Sequence, residues 1–435
     1  MFARIFLLSW SLGITLGFYL LRFVAFFFPQ LKHHLEGRVL DLTQLSELLQ
    51  GSATKPRLVV FCSSAGEYEQ AVPLIETARL QGDYFVLIVF FSPSGLKFIK
   101  ARGDKYPYML APYDSLAQWK QFFSLLRPRA TVVVRHELWP AFLTCARAYS
   151  SRLLLVNVSR SSSGKPWLLR RLVKRWLLGF FEQIFLVSPA DTRAFSQWFA
   201  LPPGKLQISG DSKYDRVLCK SPRDQALTVE FSDCLAQSFG TVPRLLLGSA
   251  WPEDYELVLA GLEQRQKEGA SGLVCLIALH EPTPKYLAAL VTCAAAGGFT
   301  TVRFSQLLAQ YQAGKAELRA SSTLVLVDSL GILSALYGAC NLAWVGGAMH
   351  HKIHNVLEPA SYGLAIAHGP LYKNSGEAIA LVQAKLACLV EDHEEFARWC
   401  SKALAGKAPQ GAVVRQFLEA RGGASKALFA AIQAE

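Results

Sequence analysis

The sequence predicts an α/β protein of two Rossmann-like, doubly wound domains facing a cleft, with an N-terminal membrane-anchor helix ahead of them. Three observations carry that expectation. Residues 5–28 are almost wholly apolar, with Arg22 their only charge. Two successive series of short aliphatic runs then alternate with stretches of helical period. And 435 residues are too many for one ordinary domain but comfortable for two, each with its own core.

The opening segment, IFLLSWSLGITLGFYLLRFVAFFF, is long enough to span a bilayer, for which about 20 apolar residues suffice. A secretory signal would have a shorter apolar core and a small-residue cleavage site, and neither is present. Lys32 and Arg38 follow the segment while only Arg4 precedes it, so the positive-inside bias puts the body on the cytoplasmic side. Residues 1–30 are therefore expected to anchor the chain in a membrane. The formal charge of +12 suits anionic partners. Charge alone does not choose among phosphate, nucleic acid and acidic lipid. Nine cysteines without a CxxC pair argue against a disulfide framework and against a zinc ribbon, and fit a reducing, cytoplasmic setting.

After the anchor, the first series of strand candidates is RLVVFC (57–62), YFVLIVFF (84–91), TVVV (131–134), RLLLVNV (152–158) and QIFLVS (183–188). Amphipathic segments such as 68–81 and 114–126 separate them. Apolar runs this continuous suit strands buried on both faces, hence a parallel sheet. This gives an N-terminal domain over 31–215. Residues 216–243 lose the alternation, carry Pro222, Arg223 and Asp224, and read as an inter-domain linker. A second series follows in a C-terminal domain over 244–435: RLLLGS (244–249), LVCLIAL (273–279), FTTVRF (299–304), TLVLVD (323–328), NLAWVGG (341–347) and LAIAHG (364–369). In such domains ligands sit outside the C-terminal ends of the strands. One further segment, GKPWLLRRLVKRWLLGFF (164–181), mixes Trp and Leu with Lys and Arg at helical spacing, as a membrane-surface helix does. A helix with a solvated basic face has the same pattern.

Several strand ends carry residues capable of chemistry. In VVFCSSAGEYEQ (59–70), Glu67 stands at a helix start just after a strand, where a carboxylate of raised pKa can take a proton from a hydroxyl. VVVRHELWP (132–140) delivers Arg135, His136 and Glu137 at another strand end, and ISGDSKYDR (208–216) places Lys213 where it can sit beside a phosphate. In the second domain, GSAWPED offers Ser249 and a helix N-terminus, LHEPT offers His280 and Glu281, and VDSLGILSALY opens a helix at Gly331 and Ile332. Taken singly, each of these also reads as ordinary capping or turn chemistry.

The stretch VGGAMHHKIHNVLEPASYG (345–363) packs His350, His351, His354 and Glu358 beside a glycine pair. A metal site needs histidines at fixed spacing on a regular element, with carboxylate or cysteine partners. Gly346 and Gly347 point instead to an irregular loop, and no HExxH or cysteine cluster accompanies it. The alternative is a nucleotide cradle, in which the glycines let backbone approach a phosphate while Asn355 and Glu358 meet the ribose hydroxyls.

In order and spacing these stretches resemble the Kdo transferases, the 3-deoxy-D-manno-octulosonic acid transferases of lipopolysaccharide assembly. The resemblance covers the N-terminal segment, SSAGEYEQ…PLIE, FFSPSG, ELWP, GDSKYD, GSAWPED, LHEPT, VDSLGILSALY, VGG…HNVLEPASYG and HGPLYKNSGEA. It implies a GT-B type glycosyltransferase. Glu67 then matches the family's proposed base for the lipid acceptor hydroxyl, with Glu137 and Lys213 supporting the transition state. CMP would lie against Ser249, against Leu279, His280 and Glu281, against Leu330, Gly331 and Ile332, and against Asn355, Val356, Leu357 and Glu358. The donor implied is CMP-Kdo, the acceptor a lipid A precursor, and the setting the lipids of the inner membrane, with no nucleic acid, cofactor or metal. No Asp-x-Asp pair occurs in the chain. The chain departs from the family pattern at Cys62, where many members have histidine, at Arg135, where many have an acidic residue, and at 278–281, where an arginine is missing. Two other readings compete: a GT-B enzyme using a UDP-sugar, and a non-catalytic membrane-associated relative.

Overall fold

A computed structural model describes residues 2–28, 35–50, 52, 54–103, 106–160, 167–202, 204–270, 272–320 and 322–434. Lys32 and residues 164–166 of the basic segment lie outside them. The chain divides into two compact units, Met1–Arg216 with Arg421–Glu435, and Val217–Ala420.

The N-terminal unit is built on a seven-stranded parallel sheet. Its strands are β1 (Arg57–Cys62), β2 (Phe85–Phe90), β3 (Tyr108–Leu110), β4 (Ala130–Val134), β5 (Arg152–Val158), β6 (Gln183–Leu186) and β7 (Leu206–Ile208), in the order β3-β2-β1-β4-β5-β6-β7. β4 and β5 are buried along their whole length, which explains their unbroken aliphatic sequences. One sheet face packs Phe61, Trp119, Phe122, Phe123 and Phe142. The other packs Tyr68, Ile75, Ile88 and Phe90. The chain starts at β1, steps outward through β2 and β3, then returns to place β4 on the other side of β1. That reversal is the topological switch point.

The C-terminal unit repeats the plan with β8 (Arg244–Ala250), β9 (Val274–Leu279), β10 (Thr300–Arg303), β11 (Thr323–Val327), β12 (Leu342–Val345), β13 (Ala365–His368) and β14 (Ala387–Leu389). The order is β10-β11-β9-β8-β12-β13-β14, again all parallel, with the switch point between β8 and β12.

Two boundaries differ from the sequence reading. Residues 216–243 are no linker: they contain the helix Pro222–Phe239, N-capped by Ser221, whose Phe231, Cys234, Leu235 and Phe239 belong to the C-terminal core. Conversely, the last helix, Ala424–Gln433, belongs to the N-terminal unit and not to a domain running to 435. Leu428, Phe429 and Ile432 pack beside Ile75, Ala78 and Tyr84. Asp215 caps this helix, accepting from Gly423 N at 2.5 Å and Ser425 N at 2.6 Å, and Arg152 donates to the Ala434 carbonyl at 2.6 Å.

The N-terminal segment forms a 24-residue helix, Phe2–Ala25, and among the described residues one helix is long and apolar enough to cross a membrane. One side of it is tied to the N-terminal unit. Trp10 Nε1 donates to Asp114 at 2.8 Å, Ser11 Oγ accepts from Leu116 N at 2.9 Å, and Phe18 stacks on Tyr113 at 4.3 Å. Leu8, Leu12, Leu16, Leu20 and Phe23 are exposed. The basic segment is the helix Leu168–Gly179; Trp167, Leu168, Leu169 and Leu172 at its start are exposed as well, and Trp176 meets Phe6 edge-on at 5.4 Å.

Candidate functional site

In the N-terminal unit the switch point lies between the ends of β1 and β4, and the sequence candidates flank it. Glu67 sits in the first turn of the helix Ala65–Gly82, which follows β1 directly. The Ser64 side chain makes no cap there; the Glu67 carboxylate reaches back and accepts from Ser63 N–H. Burial raises the Glu67 pKa above the usual carboxylate value, the Glu137 charge adds to the rise, and Ser63 N–H and Arg135 oppose it. A half-buried carboxyl held up in this way suits a general base better than an ordinary cap.

Glu137 follows β4, where Arg135 takes a left-handed turn at φ 67°. Its carboxylate accepts from Trp139 Nε1 at 2.7 Å, and the Trp139 ring stacks on Phe91 at 4.7 Å, so the Leu-Trp-Pro turn holds the acid in place. Arg135 Nε donates to Gln70 Oε1 at 2.9 Å. Gln70 also ties in the third candidate: its carbonyl accepts from Ser212 Oγ at 2.8 Å, one residue before Lys213. Ser212 is gripped on its other side by Asn157 Nδ2 at 2.5 Å, and Asn157 is itself left-handed, at φ 57°, where β5 slips register against β6. Arg216 and Glu69 pair at 3.6 Å between the same two helices. Glu67, Glu137 and the start of the Lys213 helix thus converge on one edge of the sheet. Gln70, Asn157 and Ser212, which hold them there, were not singled out in the sequence.

The C-terminal unit gathers its candidates around the equivalent reversal. Ser249 is the extra residue of a bulge: Gly248 pairs with Ala278 and Ala250 with Leu279, leaving Ser249 unpaired at φ 55°. Gly346 follows β12 and packs on the β8 bulge so closely that a Cβ there would lie 2.3 Å from the Ser249 carbonyl oxygen. A Cβ on Gly347 would lie 2.3 Å from the Lys352 oxygen. The glycine N–H groups are already used, Gly346 donating to Gly248 O and Gly347 to Asp254, each at 2.9 Å. The glycines are therefore required by the chain's own packing, a correction to their reading as an open phosphate cradle. The irregular loop they open, over 346–355, is as expected.

Asp254 fastens this region. It is fully buried and accepts from Trp251 N at 2.9 Å, Gly347 N at 2.9 Å and Trp344 Nε1 at 3.0 Å, joining the ends of β8 and β12. Beyond it, Asn355 is exposed and donates to Glu358 at 3.1 Å while accepting from Leu357 N at 3.0 Å. Val356, Leu357 and Leu279 are buried, so their side chains serve the core, and only backbone could meet a ligand there. Glu358 acts on Tyr337, whose hydroxyl is pushed up first by burial and then by that charge; a Cβ on Gly248 would lie 1.8 Å from the same hydroxyl. Leu330, Gly331 and Ile332 lie just after β11 on the same sheet edge, with Leu330 exposed and Gly331 at φ 78°.

Here the histidines meet an unforeseen partner. Trp251 stacks on His351 at 4.0 Å and on His280 at 4.8 Å, and His280 lies 4.6 Å from His354. Glu281, beside His280, is exposed. Among the described residues no three His, Cys, Asp or Glu side chains are grouped so as to hold a metal ion.

Comparison with known proteins bears on the family and the fold. Residues 38–216 match the family described as 3-deoxy-D-manno-octulosonic-acid transferase (kdotransferase). The 3-deoxy-D-manno-octulosonic acid transferase of Aquifex aeolicus is 25% identical over 318 residues, 73% of this chain and 76% of that protein. The Haemophilus influenzae protein of the same name is 25% identical over 325 residues, 72% of this chain and 70% of that one. In fold, the chain is similar to a glycosyltransferase from Rickettsia africae, with a TM-score of 0.52 at 11% identity over 87% of this chain and 98% of that one. It is likewise similar to the UDP-GlcNAc 2-epimerase of Neisseria meningitidis, with a TM-score of 0.55 at 12% identity over 86% and 98%.

Proposed function

From the premise that the chain is a divergent member of the Kdo transferase family, and so a glycosyltransferase of lipopolysaccharide biosynthesis, we propose that it moves Kdo from CMP-Kdo to a lipid A precursor with inversion at the anomeric carbon. The observation that carries this reading is the half-buried Glu67 carboxylate, raised in pKa beside Glu137 at the switch point of the N-terminal sheet.

The N-terminal unit handles the acceptor. Glu67 takes the proton of the acceptor hydroxyl as its oxygen bonds to the anomeric carbon. The bond from that carbon to the phosphate oxygen breaks, and CMP leaves with the electron pair. The anomeric carbon is oxocarbenium-like in between. Lys213 offsets the charge that grows on the leaving phosphate, and Glu137 keeps Glu67 basic enough to act near neutrality. The C-terminal unit holds the nucleotide through Ser249, the 279–281 turn, the 330–332 loop and Asn355 with Glu358. The exposed apolar side of the helix Phe2–Ala25 faces the lipids of the inner membrane, with the catalytic units cytoplasmic.

The test is an assay with CMP-Kdo generated in place and a lipid A precursor, its products weighed by mass spectrometry. A gain of one or more Kdo masses, absent with UDP-sugars, is expected. Turnover of UDP-sugars alone would move the donor assignment, and no turnover with any nucleotide sugar would defeat the reading.

A further inference from the structure

Trp251, which the sequence does not single out, is the hub of the imidazole cluster. Its ring stacks on His351 and His280, and its indole Nε1 lies 3.4 Å from His354 Nε2. An indole N–H can only donate, so His354 Nε2 must accept, and the imidazole proton then sits on Nδ1. Asp254 accepts from the Trp251 backbone N–H at 2.9 Å, and Trp251 stands where β8 ends, beside the switch point.

Resting on the donor reading above, we propose that Trp251 is a positioning residue: it holds His354 as the Nδ1–H tautomer that donates to the donor's anionic group, which no arginine among residues 278–281 is present to receive. A proton added to His354 Nε2 would point at the Trp251 N–H, donor against donor. Burial first, and then the neighbouring His280 and His351, lower the His354 pKa to about 4. The other charged groups around it are Lys352 and His350 in its own loop, Glu281 next to His280, and Glu253 and Asp254 in the first turn after Trp251. Asp254 is committed to Trp251, Trp344 and Gly347. His354 is thus a neutral donor throughout the working range, and the anion is met by a hydrogen bond whose strength does not follow pH.

Trp251→Phe keeps the ring and removes the N–H. It frees Nε2 of its donor, so the tautomer is no longer fixed and the His354 pKa rises, while burial and the neighbouring imidazoles still hold it below the ordinary histidine range. The anionic group is either the nucleotide phosphate or the sugar carboxylate, and two probes separate them. Cytidine 5′-methyl phosphate carries one charge that does not titrate near neutrality, and free Kdo carries the carboxylate; cytidine is the uncharged control. Calorimetric affinities of the full chain are compared between about pH 8 and about pH 6. Wild type should change by less than about twofold, whereas Trp251→Phe, its imidazole free to present either nitrogen, should bind the relevant anion several-fold more weakly at the higher pH and recover part of that loss at the lower, with cytidine unaffected. In a Trp251→Phe, His354→Asn double variant the amide keeps an Nδ donor but cannot be protonated, so the pH dependence should vanish. Nitrogen-15 NMR of the imidazoles should show the His354 titration rising in Trp251→Phe. Equal, pH-independent affinities in wild type and Trp251→Phe for both anions would overturn the proposal, with cytidine binding showing that the donor site itself stands. If wild type binds neither cytidine nor its methyl phosphate, the donor reading fails and takes this ligand assignment with it. A thermal melt of Trp251→Phe within a few degrees of wild type shows that the variant is folded.

Discussion

Replacing Asp254 by alanine should unfasten the C-terminal sheet at its switch point. The wild-type carboxylate is completely buried and accepts three hydrogen bonds, from Trp251 N, Gly347 N and Trp344 Nε1. Alanine leaves three buried donors without acceptors, at about 1–3 kcal/mol each. Water entering the vacated space recovers part of that, so a loss of about 3–5 kcal/mol is expected. This is a large fraction of the stability of a domain, which is about 5–15 kcal/mol. Asp254→Asn keeps the shape but turns one acceptor into a donor, and should cost about 1–3 kcal/mol. Urea unfolding gives the totals, while hydrogen exchange of peptides covering 244–254 and 341–350 assigns the loss to this unit. A loss under about 1 kcal/mol for Asp254→Ala, with exchange in those peptides unchanged, would refute the claim that this carboxylate joins the two strand ends.

Glu67→Gln should lower transfer by about 10²–10⁴-fold while leaving cytidine-nucleotide affinity intact, read by steady-state kinetics and calorimetry. Because Glu67 must be ionised to act and its pKa is raised, kcat/KM in the wild type should fall on acidification at a pH above the ordinary carboxylate range. Glu137→Gln removes a charge that raises Glu67, so the same acid limb should move to lower pH. Gly346→Ala would push a Cβ to 2.3 Å from the Ser249 backbone oxygen, and should cost about 1–3 kcal/mol in thermal or urea unfolding. Asp215→Ala removes the cap of the last helix and should cost about 0.5–2 kcal/mol, with faster hydrogen exchange across 424–433.

The repeated βα plan was legible because strands buried on both faces must be written in long aliphatic runs, as in RLLLVNV and LVCLIAL. The three-residue strands β3, β7 and β14 are too short to carry such a signal. The helix Pro222–Phe239 was misread because polar residues dominate it. Its apolar side needs only Phe231, Cys234, Leu235 and Phe239, a helical spacing hidden inside FSDCLAQSF. Glu67 and Glu137 could be nominated from their places at strand ends. The raised pKa of Glu67, and the Gln70 and Ser212 bonds that bring the Lys213 helix to them, depend on contacts between residues up to 142 positions apart. The glycine pair was noticed for the right reason, close approach of backbone, but the approaching group is Ser249 of this chain. Trp251 was invisible as a hub because nothing in GSAWPED points to imidazoles 29 and 100 residues further on.

The last helix also sets the order in which the protein can be finished on the ribosome. Residues up to Arg216 emerge first and carry all seven strands of the first sheet. Yet Ile75, Ala78 and Tyr84 stay uncovered until Leu428, Phe429 and Ile432 have been synthesised, after the whole of Val217–Ala420. At about 5–20 residues per second, that interval lasts roughly 10–40 seconds. The unit translated first is therefore the one completed last, and a nascent chain stalled or truncated before residue 424 would display an apolar patch for chaperones and proteases to find.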